Sequence, residues 1–421
     1  MEQLVNEVYK PLFTQKVRYF ILMGGRGAGR STVASQYANA KLVAREYFRC
    51  AIMRYILGDI RNSIYREIID RAEENGIKDS LDINESTMTI THGANTINAV
   101  GFRKSSGDQK SKLKSLANYN CVIIEEADEI PEEDFMQLDD SLRTIKGDIV
   151  VILLLNPPAK THWIIKRWFN LLPSEIKNFY IPELREERNI DTFFIRTSYE
   201  DNRVNLAQQS IDSYENYKNT KPDHYYNMVK GLVPETVIGK IYNNWKEIDE
   251  VPHEAKLEGY GLDFGYSTDP TAIVAIYTYN GGFIFDEIIY QKGLSNKQIA
   301  DIFLAQTQGL VIGDSSEPKS IDEIKSFGVL ILPAIKGRDS VGFGIQFVQQ
   351  QKISYTRRST NLKKEYENYS WEIDKDGNII GVPKDIFNHA MDAIRYKLTY
   401  KLNYEEEDII WRKKENTNQA R

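Results

Sequence analysis

The stretch Gly24-Gly25-Arg26-Gly27-Ala28-Gly29-Arg30-Ser31-Thr32 limits what this chain can fold into more than any other. It follows a run of strand character, Val17 to Met23, and precedes a run without Pro or Gly, Val33 to Tyr47. Strand, glycine loop and helix in that order make a phosphate-binding loop. Glycines let the backbone turn its N–H groups toward one point, and the helix N-terminus adds its positive end there. A triphosphate is the natural guest. Aligned on G-x-x-x-x-G-K-[ST], the fixed places fall on Gly24, Gly29, Arg30 and Ser31. The lysine place holds Arg30, a bulkier, forked cation. Arg26 is a second candidate for the β- and γ-phosphate contact. The alternative is a glycine-rich turn with no ligand.

A second signal is Cys121-Val122-Ile123-Ile124-Glu125-Glu126, an apolar strand that delivers two carboxylates at its end. Sheets of alternating strands and helices place their ligand sites there. Glu125 would hold Mg²⁺ through its bound water and Glu126 would polarise the attacking water. The competing reading is a helix N-terminus made acidic to suit its dipole, which explains Glu132, Glu133 and Asp134 better. Ile149 to Leu155 is a further buried strand, closed by Asn156-Pro157-Pro158. Asn156 either senses the γ-phosphate or opens a turn before proline. Tyr9, Pro11, Phe13 and Gln15 either cover an adenine ring or simply pack. The alternation of strands with helices predicts a parallel sheet with helices on both faces.

Length and charge set bounds. At 421 residues the chain has room for two cores. A net charge of −6 means that any nucleic-acid contact comes from local basic patches. Two such patches are candidates, Arg103 to Lys114 and the cations Lys336, Arg338, Lys352, Arg357, Arg358, Lys363 and Lys364. Each reads equally as a solvated face. The longest apolar run, Ile149 to Leu155, is too short to cross a bilayer, and no secretory signal is read at the N-terminus. Cys50 and Cys121 sit in apolar runs and read as buried free thiols of a reducing cytoplasm.

A new apolar alternation begins near Gly259. Asp263 lies inside a strand, Thr271 to Ile289 reads as a hairpin about Gly281-Gly282, and Asp314 ends the next strand. A second hairpin flanks Asp376-Gly377. The last helix, Asp385 to Tyr400, carries Asp392 with His389 one turn earlier. Hairpin-joined strands followed by alternating helix and strand is a ribonuclease H-like order. Acids so placed can gather two Mg²⁺ or Mn²⁺ ions for in-line attack on a phosphodiester. Acids at strand ends are also common without any such role.

The two halves together resemble the large terminase subunit of tailed bacteriophages. The pieces that carry the resemblance are GGRGAGRST, VIIEEADEI, LLLNPP, TSYEDN, GLDFGYSTDPTA, GDSSEPKSI and NHAMDAIRY, in that order along nearly the whole chain. The resemblance implies an α/β protein: a P-loop ATPase domain with a parallel sheet, and a ribonuclease H-like nuclease domain. The boundaries expected are 1–195 for the ATPase, 196–237 for a helical lid or linker, 238–402 for the nuclease and 403–421 for a tail. It implies nucleotide binding by Gly24 to Thr32 and Glu125, with Ser31 and Glu125 at the Mg²⁺ of ATP. It implies catalysis by Glu126, coupling by Asn156, and metal ligation by Asp263, Asp314 and Asp392. An arginine acting on a neighbouring subunit's ATP is also implied, and Arg143 is the choice. The expected partners are double-stranded DNA, the portal of a procapsid, the small terminase subunit and further copies in a ring. The expected place is the cytoplasm of an infected bacterium, with no membrane. A repair helicase–nuclease and a non-catalytic scaffold with a degenerate loop are the alternatives.

Overall fold

The computed structural model describes residues 6–103, 113–267, 269–337, 339–374 and 377–400. Lys104, Lys110 and Lys112 of the first basic patch, Arg338, Asp376 and the segment 403–421 lie outside them. The chain divides into two compact units, Met1–Ile238 and Gly239–Arg421.

The first unit is built on an eight-stranded sheet. Its strands are β1 (Tyr19–Gly24), β2 (Arg49–Ile56), β3 (Asp82–Asn84), β4 (Thr89–His92), β5 (Asn95–Arg103), β6 (Cys121–Glu125), β7 (Val150–Leu155) and β10 (Thr192–Thr197). The spatial order is β10-β1-β7-β6-β2-β5-β4-β3. The six strands from β10 to β5 are parallel, and β4 and β3 add an antiparallel hairpin. Side chains alternate across the sheet, as the two-residue period of a strand requires. Phe20, Leu22, Ile52, Ile123 and Ile152 pack on the helices Arg30–Leu42 and Ile64–Glu74. Ile21, Met23, Met53, Ile124 and Leu153 pack on Glu132–Ser141 and Trp163–Trp168.

Three departures from the sequence reading follow from packing. The first long helix starts at Arg30, so Ser31 and Thr32 lie in its first turn, and it ends at Leu42 instead of Tyr47. A small antiparallel sheet of β8 (Phe169–Pro173), β9 (Phe179–Leu184) and β11 (Val233–Pro234) was not anticipated. The boundary expected after 195 falls inside β10, whose parallel pairing to β1 runs on to Thr197. The expected lid, 196–237, belongs to the same compact unit as the sheet.

The second unit holds a seven-stranded mixed sheet of β12 (Lys246–Ile248), β13 (Lys256–Asp263), β14 (Thr271–Tyr279), β15 (Gly282–Gln291), β16 (Val311–Gly313), β17 (Ile331–Pro333) and β18 (Ile353–Thr356). The order is β12-β18-β15-β14-β13-β16-β17. The centre is the antiparallel meander β13–β14–β15, with parallel strands added on each side. Helices 340–349, 360–368 and 389–400 cover one face through Ile345, Leu362 and Ile394. Asn296–Leu304 and Pro318–Ser326 cover the other through Ile299 and Ile324. The last helix begins at 389, four residues later than its sequence suggests, because residues 385–387 bend and Phe387 has φ of 59°. A separate hairpin joins β19 (Trp371–Ile373) to β20 (Ile379–Pro383).

Candidate functional site

In the first unit, Gly24 ends β1 and Gly29 caps the following helix. The glycines are dictated by space as well as by dihedral. A Cβ on Gly24 would stand 2.1 Å from the Thr197 carbonyl oxygen, and one on Gly25 2.0 Å from that of Val229. Gly27 and Gly29 have φ of 73° and 81°, a region that side chains disfavour. The loop is fastened from outside. Asn202 Nδ2 donates to the Gly27 carbonyl at 2.8 Å, the Arg26 N–H to Met228 at 2.6 Å, and the buried Tyr9 hydroxyl to Ala28 at 2.7 Å. Tyr9 therefore braces the loop, while Phe13 packs edge-on against Tyr37. A cleft of ≈ 940 Å³ opens over the loop, lined by Gly25, Gly27 to Val33, Gln36, Glu67 and Arg71 among others.

Ser31 Oγ donates to Glu125 Oε1 at 2.9 Å. The other oxygen, Oε2, is buried with no hydrogen-bond partner. An orphaned buried carboxylate oxygen at the foot of a phosphate loop is a donor of the kind that Mg²⁺ takes. Arg30 is tied to the end of β7: Nη1 donates to the Leu155 carbonyl and Nη2 to Asn156 Oδ1 at 2.9 Å. Burial pulls its pKa down against the opposing pull of Tyr9, Asp128 and Glu125. Asn156 thus meets the loop through Arg30. Glu126 stands in the left-handed region, φ 53°, and is ion-paired with Arg54 at the end of β2. Arg143 is exposed beyond the helix Glu132–Ser141, in a surface depression with Glu133, Met136 and Asp140, and is not among the residues lining the loop cleft. Two contacts escaped the sequence reading. Arg54 followed its strand with no signal of a partner, and Glu67, which accepts from Thr32 Oγ1 at 2.9 Å, lay in an ordinary polar helix face.

In the second unit, the register places the acids. β13 and β16 run parallel with Leu262 opposite Gly313, so Asp263 and Asp314 leave the sheet at the same end. The Asp314 N–H donates to the Leu262 carbonyl at 3.1 Å. The last helix lies directly on β13: a Cβ on Gly261 would come 1.9 Å from the Ala393 carbonyl oxygen. Asp392, the neighbour of Ala393, joins the other two in this way. Their fields overlap. Burial, then Asp392 and Asp314, push the Asp263 carboxyl up to about 7 against the pull of His389. Burial likewise raises Asp392, against Arg395.

Each acid holds its own cation. His389 Nδ1 lies 3.0 Å from Asp263 Oδ2, Arg395 Nη2 donates to Asp392 Oδ1 at 2.8 Å, and Lys336 pairs with Asp314 Oδ1. Burial pulls His389 down, but Asp263, Glu365 and Asp269 outweigh it and push it up to about 9. Burial pushes Asp314 up, but Lys336 and Ser316 outweigh it and leave its pKa below the usual value. Among the described residues no three His, Cys, Asp or Glu side chains are gathered closely enough to hold a metal ion. The donor chemistry nonetheless suits hard divalent ions: three carboxylates, mutually perturbing, with cationic side chains drawn to them. The basic row expected to grip DNA is largely engaged with acids. Arg358 pairs with Asp286, Arg357 with Glu247 and Asp249, and Lys363 with Glu247.

Residue Glu365, which the sequence did not mark, organises this corner. Its buried carboxylate accepts the N–H groups of His389, Ala390 and Met391 at 3.2, 2.6 and 3.3 Å, and the Tyr290 hydroxyl at 2.8 Å. It caps the helix that bears Asp392 from a helix that the sequence reading passed over.

Comparison with known proteins gives concordant results. Residues 16–232 match the family described as phage terminase large subunit, and residues 263–399 match the terminase RNase H-like domain. The PBSX phage terminase large subunit of Bacillus subtilis (strain 168) is 25% identical over 416 residues, covering 92% of this chain and 91% of that protein. The terminase large subunit of Bacillus phage SPP1 is 24% identical over 422 residues, covering 93% of each. Among solved structures, the large terminase of a thermophilic bacteriophage aligns over 93% of this chain and 96% of its own, at 17% identity and a TM-score of 0.43. The first match alone spans more than half of the 421 residues, and the chain belongs to the family of phage terminase large subunits.

Proposed function

We propose that this terminase subunit hydrolyses ATP with Mg²⁺ to drive double-stranded DNA into a procapsid, and cuts the concatemer with a nuclease that uses two Mg²⁺ or Mn²⁺ ions. The observation that carries the motor half is the Ser31–Glu125 hydrogen bond, with the second Glu125 oxygen buried and unpartnered at the foot of the loop. The loop amides of Gly25 to Thr32 would bind the phosphates, and Ser31 and Glu125 would hold the Mg²⁺. Glu126, released from Arg54, takes a proton from the attacking water, and Asn156 reports phosphate loss through Arg30. Arg143 would act on a neighbour's ATP in a ring seated on the portal. The small terminase subunit is a further partner, and the setting is the host cytoplasm.

For the nuclease half, Asp263, Asp314 and Asp392 would hold the ions, whose chemistry is to activate water and stabilise the leaving oxygen. His389 holds Asp263 in place, Arg395 holds Asp392, and Glu365 fixes the helix that presents both His389 and Asp392. One purified sample tests both halves. ATP turnover is measured beside Glu126→Gln, and Mn²⁺-dependent plasmid cutting beside Asp263→Ala. Turnover in the parent and none in Glu126→Gln is the expected result; no turnover in either makes the chain a scaffold. Equal cutting by the parent and Asp263→Ala rules out the assigned nuclease site.

A further inference from the structure

Three cations face the acid trio, and they are not equivalent. Arg395 is 5% exposed and locked: a Cβ on Gly344 of the adjoining helix would come 2.6 Å from its Cγ. His389 is held between Asp263 and, at 3.8 Å, Asp269. Lys336 differs. Its side chain is 40% exposed, and it sits in the irregular segment after β17, not in a helix or strand. Its ammonium bonds Asp314 and, at 2.8 Å, Ser316 Oγ, with the Tyr396 ring 5.5 Å away. Asp314 does not depend on Lys336 for its orientation. The Ser316 N–H also donates to Asp314 Oδ1, at 2.9 Å, and would remain if the lysine left. Removing Arg395 or His389 would strand a largely buried carboxylate, whereas a half-exposed ammonium on a flexible four-carbon stem can leave at little cost.

We propose that Lys336 is an exchangeable counter-ion, which yields Asp314 to a divalent cation and turns its ammonium to the scissile phosphodiester of bound DNA. This rests on the nuclease reading above. In the step it serves, water adds to phosphorus and the P–O bond to one sugar breaks. One proton of that water ends on the leaving sugar oxygen and the other on the new phosphate or in solvent. Lys336 changes no bond. It donates a hydrogen bond to a non-bridging oxygen, where negative charge is concentrated as the nucleophile arrives.

The test uses the full chain with Lys336→Gln and Lys336→Arg, read in two ways: an Mn²⁺ binding isotherm without DNA, and the rate of Mn²⁺-dependent plasmid cutting. Lys336→Gln should bind Mn²⁺ at least as tightly as the parent, because a competing cation is gone. It should cut on the order of 100-fold more slowly, the usual effect of removing one charge-stabilising donor. Lys336→Arg should recover part of the rate. Parent-like cutting by Lys336→Gln overturns the proposal. So does weaker Mn²⁺ binding by that variant, since the lysine would then be shaping Asp314 for the ion. A parent that does not cut under any of these conditions overturns the nuclease reading itself, while the isotherm still judges the exchange.

Discussion

At the scale of single residues, both candidate sites are held by contacts that join distant positions. Ser31 is the clearest case. Replacing it with alanine removes the hydrogen bond to Glu125 Oε1, in a carboxylate whose other oxygen is already buried without a partner. The expected loss is about 1–3 kcal/mol of stability for the orphaned acceptor. ATP turnover should fall further than stability does if Ser31 also serves the Mg²⁺, as proposed above. A melt and a turnover assay on Ser31→Ala check both; an unchanged turnover would mean that the phosphate loop does not work through this serine. Arg30 asks a sharper question. Its guanidinium is spent on Leu155 and Asn156, so Arg30→Ala should weaken ATP binding by loosening the loop from β7. If Arg26→Ala is instead the variant that loses ATP in a binding titration, Arg26 makes the phosphate contact and the loop keeps its shape without Arg30. The glycines and the acids after an apolar strand were legible because backbone geometry and strand burial leave few other residues possible there. Arg54, Glu67 and Glu365 were not legible, because each is defined by a partner that the fold brings in from elsewhere in the sequence.

At the scale of elements, most strands of both sheets were readable from apolar runs and two hairpins from the turns Gly281-Gly282 and Asp376-Gly377, but β3, β12 and β18 were not. The elements that escaped are those whose local pattern is diluted. The helix Ser340–Gln349 contains two glycines, β8 ends on Pro173 and β9 carries Pro182. The cost of missing the helix Thr360–Asn368 was functional, because it carries Glu365. Three backbone N–H groups at the start of the last helix depend on that carboxylate, and helix N-termini are where such donors are otherwise orphaned. Glu365→Ala should therefore destabilise the second unit by about 2 kcal/mol and lower DNA cutting by shifting Asp392, with ATP turnover unchanged. The group also carries a pH signature. Burial raises its pKa, against His389, Tyr290 and the helix amides. A carboxyl raised on folding stabilises the fold below its unfolded value, about 4.3, and loses that contribution as pH rises through its folded value. Relative to the non-titrating Glu365→Gln, the parent should lose stability as pH rises above about 4.3. Melting curves of the two proteins across pH 4 to 8 (roughly the range over which a raised carboxyl titrates) read this directly. A constant difference between them would place the proton elsewhere.

At the scale of the whole molecule, the two compact units each complete their own set of acids. Glu125 and Glu126 leave β6 in Met1–Ile238, and Asp263, Asp314 and Asp392 all lie in Gly239–Arg421. No side chain proposed for one chemistry is borrowed from the other unit. Substitutions in separate cores with no shared partners act independently, within a few tenths of a kcal/mol. Asp392→Asn keeps the size of the side chain and one oxygen for Arg395, so the helix 389–400 should stay on β13 while the third carboxylate charge is lost. It should abolish cutting and leave DNA-free ATP turnover at the parent level. Glu126→Gln should do the reverse, with turnover lost and Mn²⁺-dependent cutting retained. The crossed pair matters more than either variant alone, because a general loss of folding would depress both activities together. If Asp392→Asn lowered ATP turnover with an unchanged melting curve, the two chemistries would be coupled through the chain, and the division into independent catalytic units would have to be given up.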